Sequence, residues 1–375
     1  MADAVTSRRE NFDAIVVGGG LVGLAIANGL CRSLKKVLLL DEGDVAFRAS
    51  RGNFALVWVQ SKGLGAPAYA DWTRRSAAEW TAFAADLKKQ TGVNTFHHQP
   101  GGVHVCLSEA EFEKRAAEVE QFRNQPGANR CAMEMLDHDE LAKILPGIGP
   151  DVVGGSYCES DGHCSSLYLF RALHEGFKGS GGRYLANAPV QSIEAAPGDF
   201  AIAAAGRRFA APKVVLAAGL GNARLGGEVA INAPLEPVRG QVLVTERLDP
   251  FMPMPTTFVR QTAEGSVLFG DSHEDVGFDV TTKGGVLGDI AARAVKSFPF
   301  LSSARIVRSW GALRVMTPDG LPLYQQSAEY PGAFIANCHS GVTLAAAHAG
   351  PLADAIATGS LPEELSAFTS ARFDV

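Results

Sequence analysis

The stretch from Phe12 to Glu42 restricts the possible folds more than any other part of the chain. Phe12-Asp13-Ala14-Ile15-Val16-Val17 is a short apolar run of the kind that forms a buried parallel strand. Gly18-Gly19-Gly20-Leu21-Val22-Gly23 follows directly, and Leu24 to Leu30 reads as a helix of small and apolar residues. Val37-Leu38-Leu39-Leu40 is a second buried strand, closed by Asp41-Glu42. Strand, glycines, helix, strand and acid in this order make a βαβ unit of about 30 residues that binds a dinucleotide. Gly18 is expected to permit the tight turn, Gly20 to let a pyrophosphate approach the backbone, and Gly23 to let helix and strand pack closely. The helix end offers unpaired N–H groups and a positive dipole to the phosphate. Asp41, 18 positions after Gly23, is placed to accept from ribose hydroxyls.

Further along, helices are predicted over 72–91 and 108–123, with Asp71 or Thr73 and Ser108 as caps. Thr95 to Leu107 is strand-like around a Pro100-Gly101-Gly102 turn, and Val190 to Ile202 with Arg208-Phe209 resembles a hairpin system. Val214 to Leu216 is another buried strand, running into Ala217-Ala218-Gly219. Strand-like runs fill 237–278, a helix is expected over 282–296, and Phe334-Ile335-Ala336 followed by a helix over 342–358 ends the chain. Nucleotide-binding pieces thus recur at the start, near residue 214 and at the end, with strand-rich material between. The expected class is α/β (α+β): one Rossmann-like domain assembled from discontinuous segments, plus a β-rich substrate domain.

Composition narrows the function. With 34 basic and 40 acidic residues the net charge is −6, so there is no global basic field for nucleic acid. No apolar run approaches the roughly 18 residues of a membrane span, and the opening MADAVTSRRENFD lacks the apolar core of a signal peptide, which predicts a cytoplasmic protein. Cys31, Cys106, Cys131, Cys158, Cys164 and Cys338 form no CxxC pair, and this spacing suits a reducing compartment. Cys158, His163 and Cys164 lack an evident fourth zinc ligand, and no metal is expected. His97, His98 and His104 read as structural, and His348 as helix packing.

Several longer motifs carry a family resemblance. They are VVGGGLVGLAIANGL at 16–30 with Asp41, ASRGNFALVW at 49–58, SDGHCSSLYLFRAL at 160–173, VVLAAGLGNARLG at 214–226, EPVRGQVLVTE at 236–246, FVRQTAEGSVLFGDS at 258–272, SWGALRVMTPDGLPLY at 309–324 and ANCHSGVTLAAAHAGPLADAIATG at 336–359. With these the chain resembles the D-amino-acid oxidase family of FAD-dependent oxidoreductases, which includes glycine oxidase and sarcosine oxidase. Within it, ASRGNF, VRGQVLVTE and GDSHEDVGFD are most similar to the flavin-bearing β subunits of heteromeric dehydrogenases for opines such as octopine and nopaline, hydroxyproline or proline.

The resemblance implies FAD as cofactor, with residues 10–85, 150–222 and 308–375 forming the FAD-binding domain and 86–149 and 223–307 the substrate domain. It carries cofactor contacts to Gly18, Gly20, Gly23 and Asp41, and to the loop with Ser50, Arg51, Asn53 and Phe54, where Gly52 would allow close approach. It adds Val190 at the adenine edge, Ala218 and Gly219, and Ser340, Gly341, Val342 and Thr343, whose N–H groups would face the flavin. Relatives carry glycine where this chain has Cys338, which opens a thiol contact or a covalent flavin link. For catalysis it points to Arg314 as the holder of a substrate carboxylate, with Asp319 as its alternative ion-pair partner. Arg260 is a second candidate, and His339 is a hydrogen-bonder or base. The implied reaction oxidises the C–N bond of a secondary amino acid by hydride transfer to FAD, within a hetero-oligomer; the alternative is a self-contained oxidase using O2. FMN at a subunit interface and an iron–sulfur cluster on a partner subunit belong to the same expectation, since this chain's cysteines form no cluster run.

Overall fold

The computed structural model describes residues 9–43, 49–126 and 132–373; Cys131 lies outside them. Its centre is a six-stranded sheet in the order 323–326, 333–337, 214–216, 14–17, 37–40, 183–185. All neighbours run parallel except the edge pair 323–326 and 333–337. Such a sheet must bury both faces, and the four-residue strands Ala14–Val17 and Val37–Leu40 are buried at every position. Alternate residues feed two cores. Ala14, Val16, Val37, Leu39, Val215 and Phe334 pack with the helices Leu21–Leu30, Pro67–Thr91 and Ser166–Gly179. Ile15, Val17, Leu38, Leu40, Val214, Leu216 and Ile335 pack against a four-stranded sheet containing the hairpin strands 190–196, 199–204 and 207–211. Each such Val, Leu, Ile or Phe side chain contributes about 1.5–3 kcal/mol on burial.

The second body is built on an antiparallel sheet in the order 259–261, 266–269, 236–247, 306–316, with a smaller sheet of 102–106, 154–158 and 133–137 beside it. The strands Glu236–Arg247 and Ile306–Met316 pair from Glu236–Met316 to Thr245–Ile306. The helix Gly284–Ser297 packs on this sheet, and Val103, Val105, Leu243, Val259, Phe269, Ile290 and Phe298 form a third core. No described helix is long and apolar enough to cross a membrane.

Three local expectations are corrected. The long helix begins at Pro67 rather than near Asp71, because proline's fixed φ suits the first helical turn and its missing N–H costs nothing there; Asp71 and Thr73 are therefore interior. Thr95–Gly101 is not a strand; only Gly102–Cys106 pairs, with an isolated bridge from His98 to His163. The C-terminal helix does not run unbroken from Val342. It starts as a turn at 341–344, and Pro351, which has no N–H to donate, lies in a π-helical stretch His348–Leu352. Ser108 does cap its helix, accepting from the Glu111 N–H.

Candidate active site

The strand order reverses between 14–17 and 214–216, and ligands of parallel sheets bind at the C-terminal ends beside such a switch point. The glycine turn lies there. Gly18 has φ +106°, and a Cβ on it would lie 2.4 Å from the Ala217 carbonyl oxygen. A Cβ on Gly23 would lie 1.9 Å from the Gly18 oxygen, so the first helix can seat on the turn only with glycine there. Gly20 caps the helix with no side-chain acceptor of its own and no acid in the first turn. The Leu21 N–H donates to Ser50 Oγ at 2.9 Å, and the Gly19 N–H to Asp41 Oδ2 at 2.6 Å. Asp41 Oδ1 also accepts from the Gly43 N–H at 3.0 Å.

Two glycines also serve contacts within the protein itself. The missing Cβ of Gly20 makes room for Ser50 Oγ, which would lie 2.9 Å away. That of Gly52 faces Ala312 Cβ at 2.3 Å, where the Trp310 indole N–H donates to the Gly52 carbonyl at 2.9 Å. The 49–52 turn is thereby clamped to the strand that carries Arg314. Arg51 stacks on Phe170, and Asn53 donates to the Ser50 carbonyl while its own Oδ1 is buried without a partner. Gly219 has φ +58°, the Ala218 N–H donates to Asn222, and the Val190 carbonyl accepts from Arg224 at 2.7 Å.

The segment after the strand Ala333–Asn337 reaches the same end of the sheet. Ser340 Oγ lies 2.8 Å from the Tyr69 hydroxyl and 3.3 Å from His339 Nδ1. Val342 and Thr343 offer their carbonyls to the Trp80 indole N–H, and Thr343 Oγ1 accepts from the Trp58 N–H at 3.1 Å. Gly341 stands opposite Val22, joining this segment to the first helix. Burial pushes the Cys338 thiol up to about 12, which keeps it protonated at neutral pH.

A charged cluster faces this end. Arg314 pairs with Asp271 and donates to the Ser272 carbonyl at 2.8 Å; Asp319 instead pairs with Arg372. Lys62, half-buried, places Nζ 3.4 Å from His339 Nδ1. Burial pulls the Lys62 ammonium down to about 8, with Asp271 opposing and Arg314 reinforcing. The Lys62 charge, then burial, hold His339 well below the ordinary histidine range, so it is a neutral imidazole. Burial and Arg314 likewise lower His273. Arg260 is 4% exposed, donates Nε to the Phe54 carbonyl and lies over the Phe54 ring; burial lowers it to about 10.

Lys62, Asp271, His273 and Tyr69 are the residues sequence reasoning missed. SKG at 61–63 and GDSHED at 270–275 were the available signals, but nothing in either segment reveals that it meets His339 or Arg314. Beneath Lys62 lies a buried network. The Asp161 carboxylate accepts from the Gln60 side chain at 2.6 Å, and Gln60 Oε1 accepts from Ser156 at 2.6 Å and Arg115 at 3.0 Å. Burial raises Asp161 to about 7.

A glycine turn and a helix N-terminus with no acid in its first turn at the switch point of a parallel sheet, faced by an antiparallel sheet bearing a guanidinium, define a dinucleotide-dependent enzyme. The chain belongs to the DAO family of FAD-dependent oxidoreductases, whose model matches residues 13–355. It is 44% identical over 361 residues to the B subunit of opine oxidase from Agrobacterium tumefaciens (strain Ach5), covering 96% of this chain and 97% of that one. It is 43% identical to the protein of the same name in Rhizobium meliloti, over 96% of this chain and 98% of the other. The crystal structure of glycine oxidase from Geobacillus kaustophilus superposes with a TM-score of 0.87 at 24% identity, over 96% of this chain and 98% of that one. The residues present fit FAD: the acid-free first turn suits a pyrophosphate, and the partnerless Asn53 Oδ1 is an acceptor in need of a donor.

Proposed function

We propose that this protein oxidises the C–N bond of a secondary amino acid of the opine class, as the catalytic subunit of a heteromeric enzyme. The carrying observation is the 44% identity to the B subunit of an opine oxidase along nearly the full length of both chains. FAD, when bound, would supply the two-electron acceptor that turns the substrate's C–N bond into C=N, which water then hydrolyses. Gly18, Gly20, Gly23, Asp41, Ser50, Arg51, Asn53, Phe54, Val190, Ala218, Gly219 and the 340–343 segment would hold it.

Arg314 is assigned to the substrate carboxylate, for which its two parallel N–H groups are suited. His339, neutral beside Lys62, is an orienting group rather than a proton source at neutral pH. Arg260 sets the Phe54 backbone through its Nε and serves as a second wall of the substrate side. For the division of the chain, 10–85, 150–222 and 308–375 carry the cofactor and 86–149 and 223–307 the substrate. Two strands lying wholly or mostly within the cofactor ranges pair into the substrate-side sheets: Gly154–Cys158 with 102–106 and 133–137, and Ile306–Met316 with 236–247.

Other subunits, an FMN at their interface and an iron–sulfur cluster on a partner chain complete the proposal, as does a cytoplasmic location. That both opine oxidase relatives are named as one subunit of a larger enzyme supports the partner subunits, and the family resemblance alone supports the rest. The fold match to glycine oxidase supports a second reading, a self-contained oxidase that passes electrons to O2. The deciding experiment is an anaerobic screen of the purified protein with octopine, nopaline, hydroxyproline, proline, sarcosine and glycine, read as loss of flavin absorbance. Bleaching by an opine supports the proposal; bleaching by glycine or sarcosine alone, with peroxide released in air, refutes it in favour of the second reading.

A further inference from the structure

Lys62 brings an ammonium group to the charged cluster on a rigid piece of backbone. It follows a turn that is pinned from below: the Val59 and Gln60 N–H groups both donate to buried Asp161, and the Lys62 N–H donates to the Val59 carbonyl at 2.9 Å. Gly63 has φ +85°, and a Cβ on it would sit 2.3 Å from the Ala70 N, so the chain leaves Lys62 along a path only glycine can take. A lysine on so fixed a turn loses less freedom on binding than one on a mobile loop.

Among the described residues no carboxylate lies within ion-pairing distance of its Nζ, which approaches His339 instead. Asp271 attracts it but is itself bound to Arg314. Around the cluster, the facing groups are Arg314, Asp271, His273, His339, Cys338 and Asp161. His339 and His273 are neutral, and Cys338 is a thiol. The Asp161 carboxylate is raised by burial and already taken up by the Val59 and Gln60 N–H groups and the Gln60 side chain. Among the described residues, Asp271 is thus the one anion that Lys62 and Arg314 share across the cluster. The cluster therefore lacks one negative charge.

A simple amino acid offers one carboxylate, for which Arg314 already suffices. An N-(carboxyalkyl) amino acid offers two, one on each carbon attached to the secondary amine. We propose that Lys62 is a specificity-determining residue that receives the second carboxylate of such a dicarboxylate amine, with Arg314 receiving the first. This rests on the opine reading above and names the feature of the substrate that the site selects.

The test uses the flavin-loaded protein and two ligands that cannot be oxidised at nitrogen, thiodiacetate with two carboxylates and (methylthio)acetate with one. Their dissociation constants are measured by calorimetry for wild type, Lys62→Met and Lys62→Arg. In Lys62→Met, the preference for thiodiacetate should shrink about 10- to 100-fold, the range of one charge-assisted contact. Affinity for (methylthio)acetate should stay within about threefold, and Lys62→Arg should keep most of the preference. An unchanged preference, or an equal weakening of both ligands, overturns the proposal; the second result would make Lys62 a structural or proton-handling group. Should Lys62→Met not retain flavin, the ratio in Lys62→Gln decides. Octopine bleaching by the wild type tests the opine reading separately, so an octopine-active enzyme with an unchanged ratio refutes Lys62 alone.

Discussion

Asp271 stands where it can compete with substrate. Its carboxylate pairs with the Arg314 guanidinium, the group assigned to the substrate carboxylate, so binding requires that the ligand displace or share it. Replacing Asp271 by Asn keeps the shape and one acceptor but removes the charge. A hydrogen bond to a charged group is worth about 1.5–3 kcal/mol and a neutral one about 0.5–1.5. Asp271 is 32% exposed and Arg314 15%, so solvent screening puts the difference at the low end, about 1 kcal/mol. That corresponds to a roughly fivefold tighter carboxylate. Asp271→Asn should therefore lower the KM for the best substrate about fivefold and leave kcat within about twofold, while Arg314→Ala should lower kcat/KM by about 30- to 1000-fold with flavin retained. The assay is steady-state kinetics with an artificial electron acceptor, together with calorimetric binding of (methylthio)acetate. Weaker binding of (methylthio)acetate or a raised KM in Asp271→Asn would refute the reasoning, because it would show that Asp271 supports ligand binding rather than competing with the ligand's carboxylate for Arg314.

Alanine at Gly18 or Gly23 should abolish flavin retention, since the new methyl would lie 2.4 or 1.9 Å from backbone oxygens, whereas Gly20→Ala, which meets only the movable Ser50 hydroxyl, should keep part of it; absorbance of the purified variants reports this. His348 is fully buried against Tyr324 and burial lowers it to about 3, against about 6.5 unfolded. Its neutral form is therefore favoured by folding, and stability that is complete above about pH 6.5 falls by about 2 kcal/mol by pH 5. His348→Gln, which can still hydrogen-bond to Tyr324, should remove that part of the acid sensitivity in urea unfolding. Arg239, 1% exposed, pairs with Glu274 and Asp279 and fixes the segment after Asp271. Arg239→Met should cost about 2–3 kcal/mol of thermal stability, less than a fully buried pair because both acids reach solvent. Because Arg239 holds Glu274 down at about 2, against 4.5 unfolded, the wild type should lose this advantage as pH falls from about 4.5 towards 2 and the variant should not.

What the sequence determined on its own is the part governed by local pattern. Apolar runs of four residues, a glycine turn and a following acid can be accommodated in few ways, so the βαβ unit and most helices and strands were legible without tertiary information. The motifs likewise carried the family, because the turn geometry demands glycine at Gly18 and Gly23 whatever surrounds it. Tertiary structure decided what long-range contacts alone can set. Gly29 looks like an ordinary small helix residue and Gly52 like a loop glycine open to the cofactor, yet a Cβ on Gly52 would run into Ala312, from a strand about 260 positions later, and a Cβ on Gly29 would lie 2.2 Å from the Ala349 carbonyl oxygen. Whether Arg314 pairs with Asp319, three residues past the end of its own strand, or with Asp271, 43 positions earlier, depends on the pairing of two sheet strands and on no local rule. Lys62, His339 and Arg314 come from three segments distant in sequence, and their charges shift one another only once the fold has removed them from water.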